Sequence, residues 1–177
     1  MTDGEGSSRG PGGARHQVAL GVRSRRPDLA ALSGRLVDLL RATSCLERIT
    51  PERCDALLGW TTTREALAEL EEHGVLERAD DGYRLPEDLR LRLEVDTLDS
   101  LPGPAVRQHY RRAATLLRAE GEYAEAVRVV ARVADWASVR DILGHHGEAV
   151  LAERCDWASA VPDGVLVRDP WLLLARA

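Results

Sequence analysis

Three leucine-bearing runs at helical spacing precede the Asp-Gly turn at Asp81-Gly82, and that order restricts the possible folds more than any other feature. Leu29, Leu32, Leu36 and Leu40 recur every three or four residues from Asp28 onward, with Leu39 alongside. A second helix is expected from Thr50 as N-cap, with Pro51 at the first helical position, Ile49 placed to staple onto Cys54, and Gly59 as the stop. A third opens on Thr62-Thr63-Arg64-Glu65, which has the form of a capping box, turns Leu67 and Leu70 inward and ends at Gly74. Val75-Leu76-Glu77-Arg78 and Tyr83-Arg84-Leu85 then flank a turn at Ala79-Asp80-Asp81-Gly82, a hairpin signal. Three helices followed by a small hairpin is the winged-helix order.

The next stretch is ambiguous. Leu89, Leu91, Leu93 and Val95 alternate with charged residues, as a strand would. Helical spacing is met too, by Leu89/Leu93 and by Leu91/Val95/Leu98. The acids of Pro86-Glu87-Asp88 and the poor strand propensity of Leu and Arg decide for a helix. Leu101-Pro102-Gly103-Pro104 reads as a linker. Antiparallel helices are expected beyond it: 104–119 with Val106, Tyr110, Ala113 and Leu117 inward, broken by Gly121; 123–133 with Val127, Val130 and Ala131 inward; and a third from Trp136, capped by Asp135. That third helix buries Val139, Ile142 and Leu143 and is interrupted at Gly147, with a short helix from Glu148 to Arg154 after it. Asp-Trp-Ala-Ser occurs at 135–138 and again at 156–159, and the segments opening at Tyr123 and Trp157 lie 34 residues apart, the tetratricopeptide period. The fold class is therefore mainly all-α. Residues 1–27 form a disordered Gly/Ser/Arg leader, 28–100 a winged-helix-like domain, and 101–177 a tetratricopeptide-like region of helical hairpins.

Composition narrows function. The sequence has no Phe, so its core must come from Leu, Val and Ala. The leader carries five arginines against Asp3 and Glu5, a balance of +3, which leaves −8 on the rest of a chain whose total is −5. An acidic body repels phosphate backbones. The expected recognition helix, Thr63 to His73, sets four Glu against one Arg and offers no Asn, Gln or Lys to base edges, so direct DNA binding is not expected through it. The chain has no Lys, hence no P-loop and no expected nucleotide hydrolysis. Its five His include no pair at i,i+4 with a carboxylate between, so no metal or other cofactor is expected. Cys45, Cys54 and Cys155 make an odd number with no CxxC, as expected of reduced thiols in the cytoplasm, with Cys45 and Cys54 buried and inert. The longest apolar run of the leader, Val18 to Val22, is too short for a signal peptide or a membrane span. No nucleophile, acid pair or GxSxG is set for catalysis, and no enzymatic activity is expected.

Several stretches taken in order resemble one family. Leu39-Leu40-Arg41-Ala42-Thr43-Ser44-Cys45-Leu46-Glu47-Arg48-Ile49-Thr50 and Cys54-Asp55-Ala56-Leu57-Leu58-Gly59 are similar to the segment just after the ATPase core of large LuxR-type, MalT-like regulators, which are STAND signalling ATPases. The likeness continues through Ala68-Glu69-Leu70-Glu71, Tyr83-Arg84, Tyr110-Arg111-Arg112-Ala113-Ala114, Glu125-Ala126, Asp135-Trp136, His146-Gly147-Glu148-Ala149 and Pro170-Trp171-Leu172, covering residues 33–177. The resemblance implies a winged-helix arm that reports the nucleotide state of an ATPase, followed by a helical sensor region for a small-molecule or protein inducer. Its DNA-binding helix-turn-helix would lie in another domain. The family often places a His after the hairpin, approaching the nucleotide, where this chain has Pro86. With no ATPase or DNA-binding part in the sequence, a fragment, a split gene product and a stand-alone remnant all stay open. So does the second reading, a stand-alone winged-helix DNA-binding regulator with a helical dimerisation tail.

The sequence finishes on a new apolar helix opened by Pro170. Trp171, Leu172, Leu173 and Leu174 are its candidate partner-contacting residues, since burial of each leucine is worth roughly 1.5–3 kcal/mol. The expected partner is a protein, either the ATPase core or another copy of the chain.

Overall fold

A computed structural model describes residues 29–153, 155–167 and 169–177; the leader lies outside the described residues. A 3-10 turn at Leu29–Ala31 leads into α1, Gly34–Thr43, whose N-cap Ser33 accepts from the Leu36 amide. The helix therefore starts later than the leucine spacing from Asp28 suggests, because Ser33 supplies the cap and Leu29 and Leu32 only lean on the core. Then α2, Pro51–Leu58, begins at Thr50 and stops at Gly59, which adopts φ +70°. Ile49 and Cys54 are both fully buried. Next, α3 spans Thr63–Glu72 with Leu67 and Leu70 inward. The expected capping box does not form. Thr62 makes no cap bond because its hydroxyl accepts from Arg35 of α1, while the Thr63 hydroxyl donates to the Asp55 carboxylate and ties α3 to α2. A tertiary bond has displaced the local one.

The wing is β1, Glu77–Ala79, and β2, Gly82–Arg84, with Ala79 paired to Gly82 across the Asp80-Asp81 turn. Ile49 joins it as a one-residue third strand, exchanging both backbone bonds with Tyr83 at 2.8 Å. Gly82 makes that possible. Its φ is +150°, and a Cβ there would lie 2.6 Å from the Ile49 carbonyl oxygen. The ambiguous stretch is helical: α4, Glu87–Ser100, buries Leu89, Leu93, Glu94 and Thr97.

Antiparallel helices follow. They are α5, Gly103–Ala119; α6, Tyr123–Arg132; and α7, Trp136–Leu151. The expected interruption at Gly147 falls one residue earlier: α7 kinks at His146 (φ −136°, ψ 23°), whose ring stacks on Tyr123 at 3.7 Å between centroids, and helix resumes beyond it to Leu151. Gly147 also admits an aromatic ring, for a Cβ there would stand 2.5 Å from Trp171. The two Asp-Trp-Ala-Ser copies take different forms. Asp135 caps α7, whereas Asp156–Ala160 is a 3-10 turn. The chain closes with α8, Asp163–Leu166, and α9, Pro170–Arg176. One continuous core of Leu, Val, Ala and Ile runs from Leu36 to Leu172 through both halves.

Gly82→Ala should lower stability by about 1–3 kcal/mol, because strained φ and collision with Ile49 act together. Urea denaturation with unchanged helix content in the native state would show it. An unaltered midpoint would mean that the Ile49–Tyr83 bridge does not hold the wing.

Candidate functional site

The chemistry of this chain is concentrated where the winged half meets the helical half. Helices end with carbonyls that have no partner of their own. Here those of α1 and α2 are met from α5, and a carbonyl just past the end of α1 is met from α6. The His109 Nε2 donates to the Ala42 carbonyl at 2.8 Å, Arg132 donates to the Cys45 carbonyl at 3.0 Å, and Arg112 reaches the Leu57 carbonyl. Burial holds the His109 pKa below its ordinary value, so the ring is neutral and carries its proton on Nε2.

One face of α6 repeats this along the loop after α1. Glu125, Arg128 and Arg132 are spaced three and four residues apart. Glu125 accepts from the Glu47 amide at 2.8 Å, and Arg128 grips the Glu47 carboxylate with two nitrogens at 2.8 and 3.3 Å. Arg132 also pairs with Glu94 at 2.7 Å, and Glu94 takes Arg90 at 2.9 Å from its own helix.

At the centre stands Arg53, with only 1% of its surface exposed. Its Nε donates to Glu120 at 2.8 Å, its Nη1 to the Arg48 carbonyl at 3.1 Å and to Glu125 at 3.3 Å. The three acids near it, Glu120, Glu122 and Glu125, come from the turn and start of the α5–α6 hairpin. Arg48 binds Glu122 at 2.8 Å and reaches Asp81 at the wing tip. Sequence reasoning passed over Arg53. Its signal was a charged residue four positions before Leu57, on the apolar stripe of α2.

Beside this joint a cleft of about 440 Å³ opens between wing and hairpin. Its acids, Glu47, Asp81, Glu87, Glu122 and Glu125, outnumber its arginines, Arg48, Arg84 and Arg90, and a triphosphate finds no net attraction there. Pro86 holds the N-cap position of α4, without a side-chain cap bond, between the cleft residues Leu85 and Glu87. The exposed residues of α3 are Arg64, Glu65, Glu69, Glu72 and His73, an acidic surface in the place where DNA readers are basic. Among the described residues no three His, Cys, Asp or Glu side chains are grouped to hold a metal ion. Cys45 and Cys54 are free thiols pushed up to about 12 by burial. No helix of the described residues is long and apolar enough to cross a membrane.

The C-terminal quartet divides. Asp169 caps α9, Leu172 is fully buried, and Trp171 lies half-buried against Gly147. Leu173 and Leu174 face outward, 50% and 61% exposed.

Three helices, a hairpin wing bridged by Ile49 and a following helix define a winged-helix module, here fixed to packed antiparallel helices. Residues 29–93 match the family model of the MalT winged helix domain. That segment is similar to the MalT winged helix domain, a module found in MalT-like LuxR-type STAND regulators. No curated protein and no solved structure matches the chain.

Removing Arg53 strands Glu125 among buried atoms. Arg53→Met should therefore cost about 3–5 kcal/mol, far more than loss of an exposed ion pair. Chemical denaturation measures it; a cost under about 1 kcal/mol would show that the hub is dispensable.

Glu125 also sets a pH dependence. Burial raises its carboxyl above the ordinary 4.5, outweighing the Glu47 amide and Arg53, which pull it down. A raised carboxyl binds its proton more tightly folded than unfolded. Its contribution is thus full below 4.5 and is lost as pH climbs through the raised value. Compared with Glu125→Gln, the parent chain should lose relative stability across that rise. Relative gain instead would mean that Arg53 dominates burial.

Proposed function

We propose that this chain is a non-catalytic regulatory module of a MalT-like STAND regulator, in which the winged helix couples an ATPase core to a helical sensor region. The observation that carries the reading is the joint itself. A buried arginine, two capped helix ends and the Glu47 grip tie the winged helix to α5 and α6, so a push on one is felt by the other. The match to the MalT winged helix domain supplies the class of ATPase it would face. The acidic exposed side of α3 supports protein contact over DNA contact.

In this reading the tetratricopeptide-like helices take an inducer or a protein, and Leu173 and Leu174 belong to the partner-facing end. The free thiols fit a reducing cytoplasm. Pro86 stands where the resemblance would place a nucleotide-sensing His. The module therefore transmits through packing and carries no nucleotide contact of its own at that position.

The experiment is a titration of the full chain against the nucleotide-binding core of a MalT-like regulator, followed by release of a fluorescent ATP analogue. Association that changes the release rate is expected, and the chain alone should bind ATP no better than weakly. No association, together with sequence-selective duplex binding that survives moderate salt by a version starting at Asp28, would replace this reading with a DNA-binding regulator.

A further inference from the structure

The alternation of residues 89–95 hides a second apolar face. One side of α4 packs Leu89 and Leu93 into the core. The other presents Leu91, Val95 and Leu98, spaced four and three residues apart, and Leu101 just past its end, exposed by 49%, 56%, 40% and 44%. Apolar side chains lined up in water mark a surface that something covers. A hollow of about 160 Å³ opens beside Leu98, walled by Val106 and Val133, with Arg107 in its lining.

The charges beside the row indicate the cover. Asp88, Arg92, Asp96 and Asp99 follow one another at helical spacing along one edge, all exposed and without an ion pair among the described residues. Three acids against one arginine leave that edge at −2. The other edge is balanced, since Glu87 and Glu94 are paired with Arg90 and Arg132. A second copy would set one acidic edge against another. The cover must instead be partly apolar, basic and free of acids.

The leader has that composition. From Arg15 to Pro27 its sequence carries Arg15, Arg23, Arg25 and Arg26, no Asp or Glu, and the apolar run Val18 to Val22. A segment so poor in apolar residues gains little by folding alone, but it can dock on a face already built. The face is within its reach. The leader joins the fold ahead of α1, which packs against α4. Val22 stands seven residues before Leu29, and such a length extends up to about 25 Å, against about 21 Å for the whole of α4. Being on the same chain, it meets the face at an effective concentration on the order of millimolar, an advantage no separate partner has. Leu20 is the largest side chain of the run and fits the hollow. Arg107 there repels arginine, which leaves the leader's arginines to the acidic edge.

We propose that the leader folds back on α4: Val18, Leu20 and Val22 cover Leu91, Val95 and Leu98, while Arg23, Arg25 and Arg26 lie along Asp88, Asp96 and Asp99. The contact is independent of the joint at Arg53 and of the coupling role given above.

Trypsin cuts after arginine, so the leader carries its own reporter. The test is the rate of cleavage at Arg15 in the full chain, followed by mass spectrometry, with circular dichroism as the check on folding. Arg15 borders the apolar run and lies away from every substitution used. The parent chain should be cut about tenfold more slowly than Leu91→Gln/Val95→Gln, which offers the same leader beside a polar α4. Asp96→Arg/Asp99→Arg should speed cutting by a similar factor, and so should Arg25→Asp/Arg26→Asp. Combining the two reversals should restore the protection, which a misfolded α4 would not do. The parent rate should be independent of protein concentration. Equal rates in the parent and Leu91→Gln/Val95→Gln would overturn the proposal. So would a combined variant that stays unprotected, or protection that grows with concentration, which would give the face to a second copy.

Discussion

A guanidinium cannot be buried alone, and Arg53 is buried almost completely. That constraint governs the relation between the two halves. The charge sits on the inner face of α2, and the acids that balance it lie some seventy residues later, at the α5–α6 turn. The hairpin must therefore arrive with its turn beside α2. Once it does, Arg132, His109 and Arg112 reach the open carbonyls at the ends of α1 and α2. The polar contacts are interdependent. Rotating α6 by one residue would take Glu125, Arg128 and Arg132 off the loop together, leaving a buried arginine and several backbone groups unsatisfied.

Small side chains let the same elements come close. No Phe is available to fill large gaps, and the α5–α6 contact is built on Ala113, Ala114, Ala124, Ala126 and Val127, all nearly or fully buried. The turn into α7 shows what such packing can impose. Ala134 sits at φ +52°, a conformation in which Gly or Asn would be at ease. It is held there by the Asp135 amide bonding back to Val130 and by Arg111 gripping the Asp135 carboxylate.

Local chemistry was legible in the sequence, and non-local chemistry was not. Thr50-Pro51 and Gly59 delimited α2 because cap and stop lie within a few residues of what they control. The turn at Ala79 to Gly82 was visible, but the Ile49 bridge that makes Gly82 necessary was not, since Ile49 is thirty-three positions away. The capping box at Thr62 failed for the same reason, when Arg35, twenty-seven positions earlier, took the Thr62 hydroxyl. The kink beside Gly147 was legible because glycine weakens a helix, whereas the room that Gly147 makes for Trp171 was not, since no local pattern connects the two. In α4 the helical reading was right, yet sequence spacing could not tell which of its two leucine series would face the core. The C-terminal quartet was likewise seen as one patch, although a helix spreads four consecutive residues around its whole circumference, so Leu172 and Leu174 had to face apart.

The wing and the recognition helix carry the last step. In a DNA-reading winged helix both must be free to meet a duplex. Here the wing tip is held by Arg48, which also binds Glu122 of the helical half, so the wing is part of the joint. The face of α3 that remains free is acidic, with Glu65, Glu69 and Glu72 outward. Glu71 is occupied by Arg78 of the wing, whose guanidinium also lies over the Tyr83 ring at 4.9 Å. Most of the positive charges that a nucleic-acid reader would spend on phosphates are thus paired internally, Arg78 on the wing, Arg48 beside it and Arg53 at the hub, while Arg84 of β2 stays exposed without an ion pair among the described residues. What is left outward is a negative helix on a rigid frame. In the coupling role proposed above, such a surface would meet a protein with a basic rim, and the paired arginines that would have opposed that use hold the frame together.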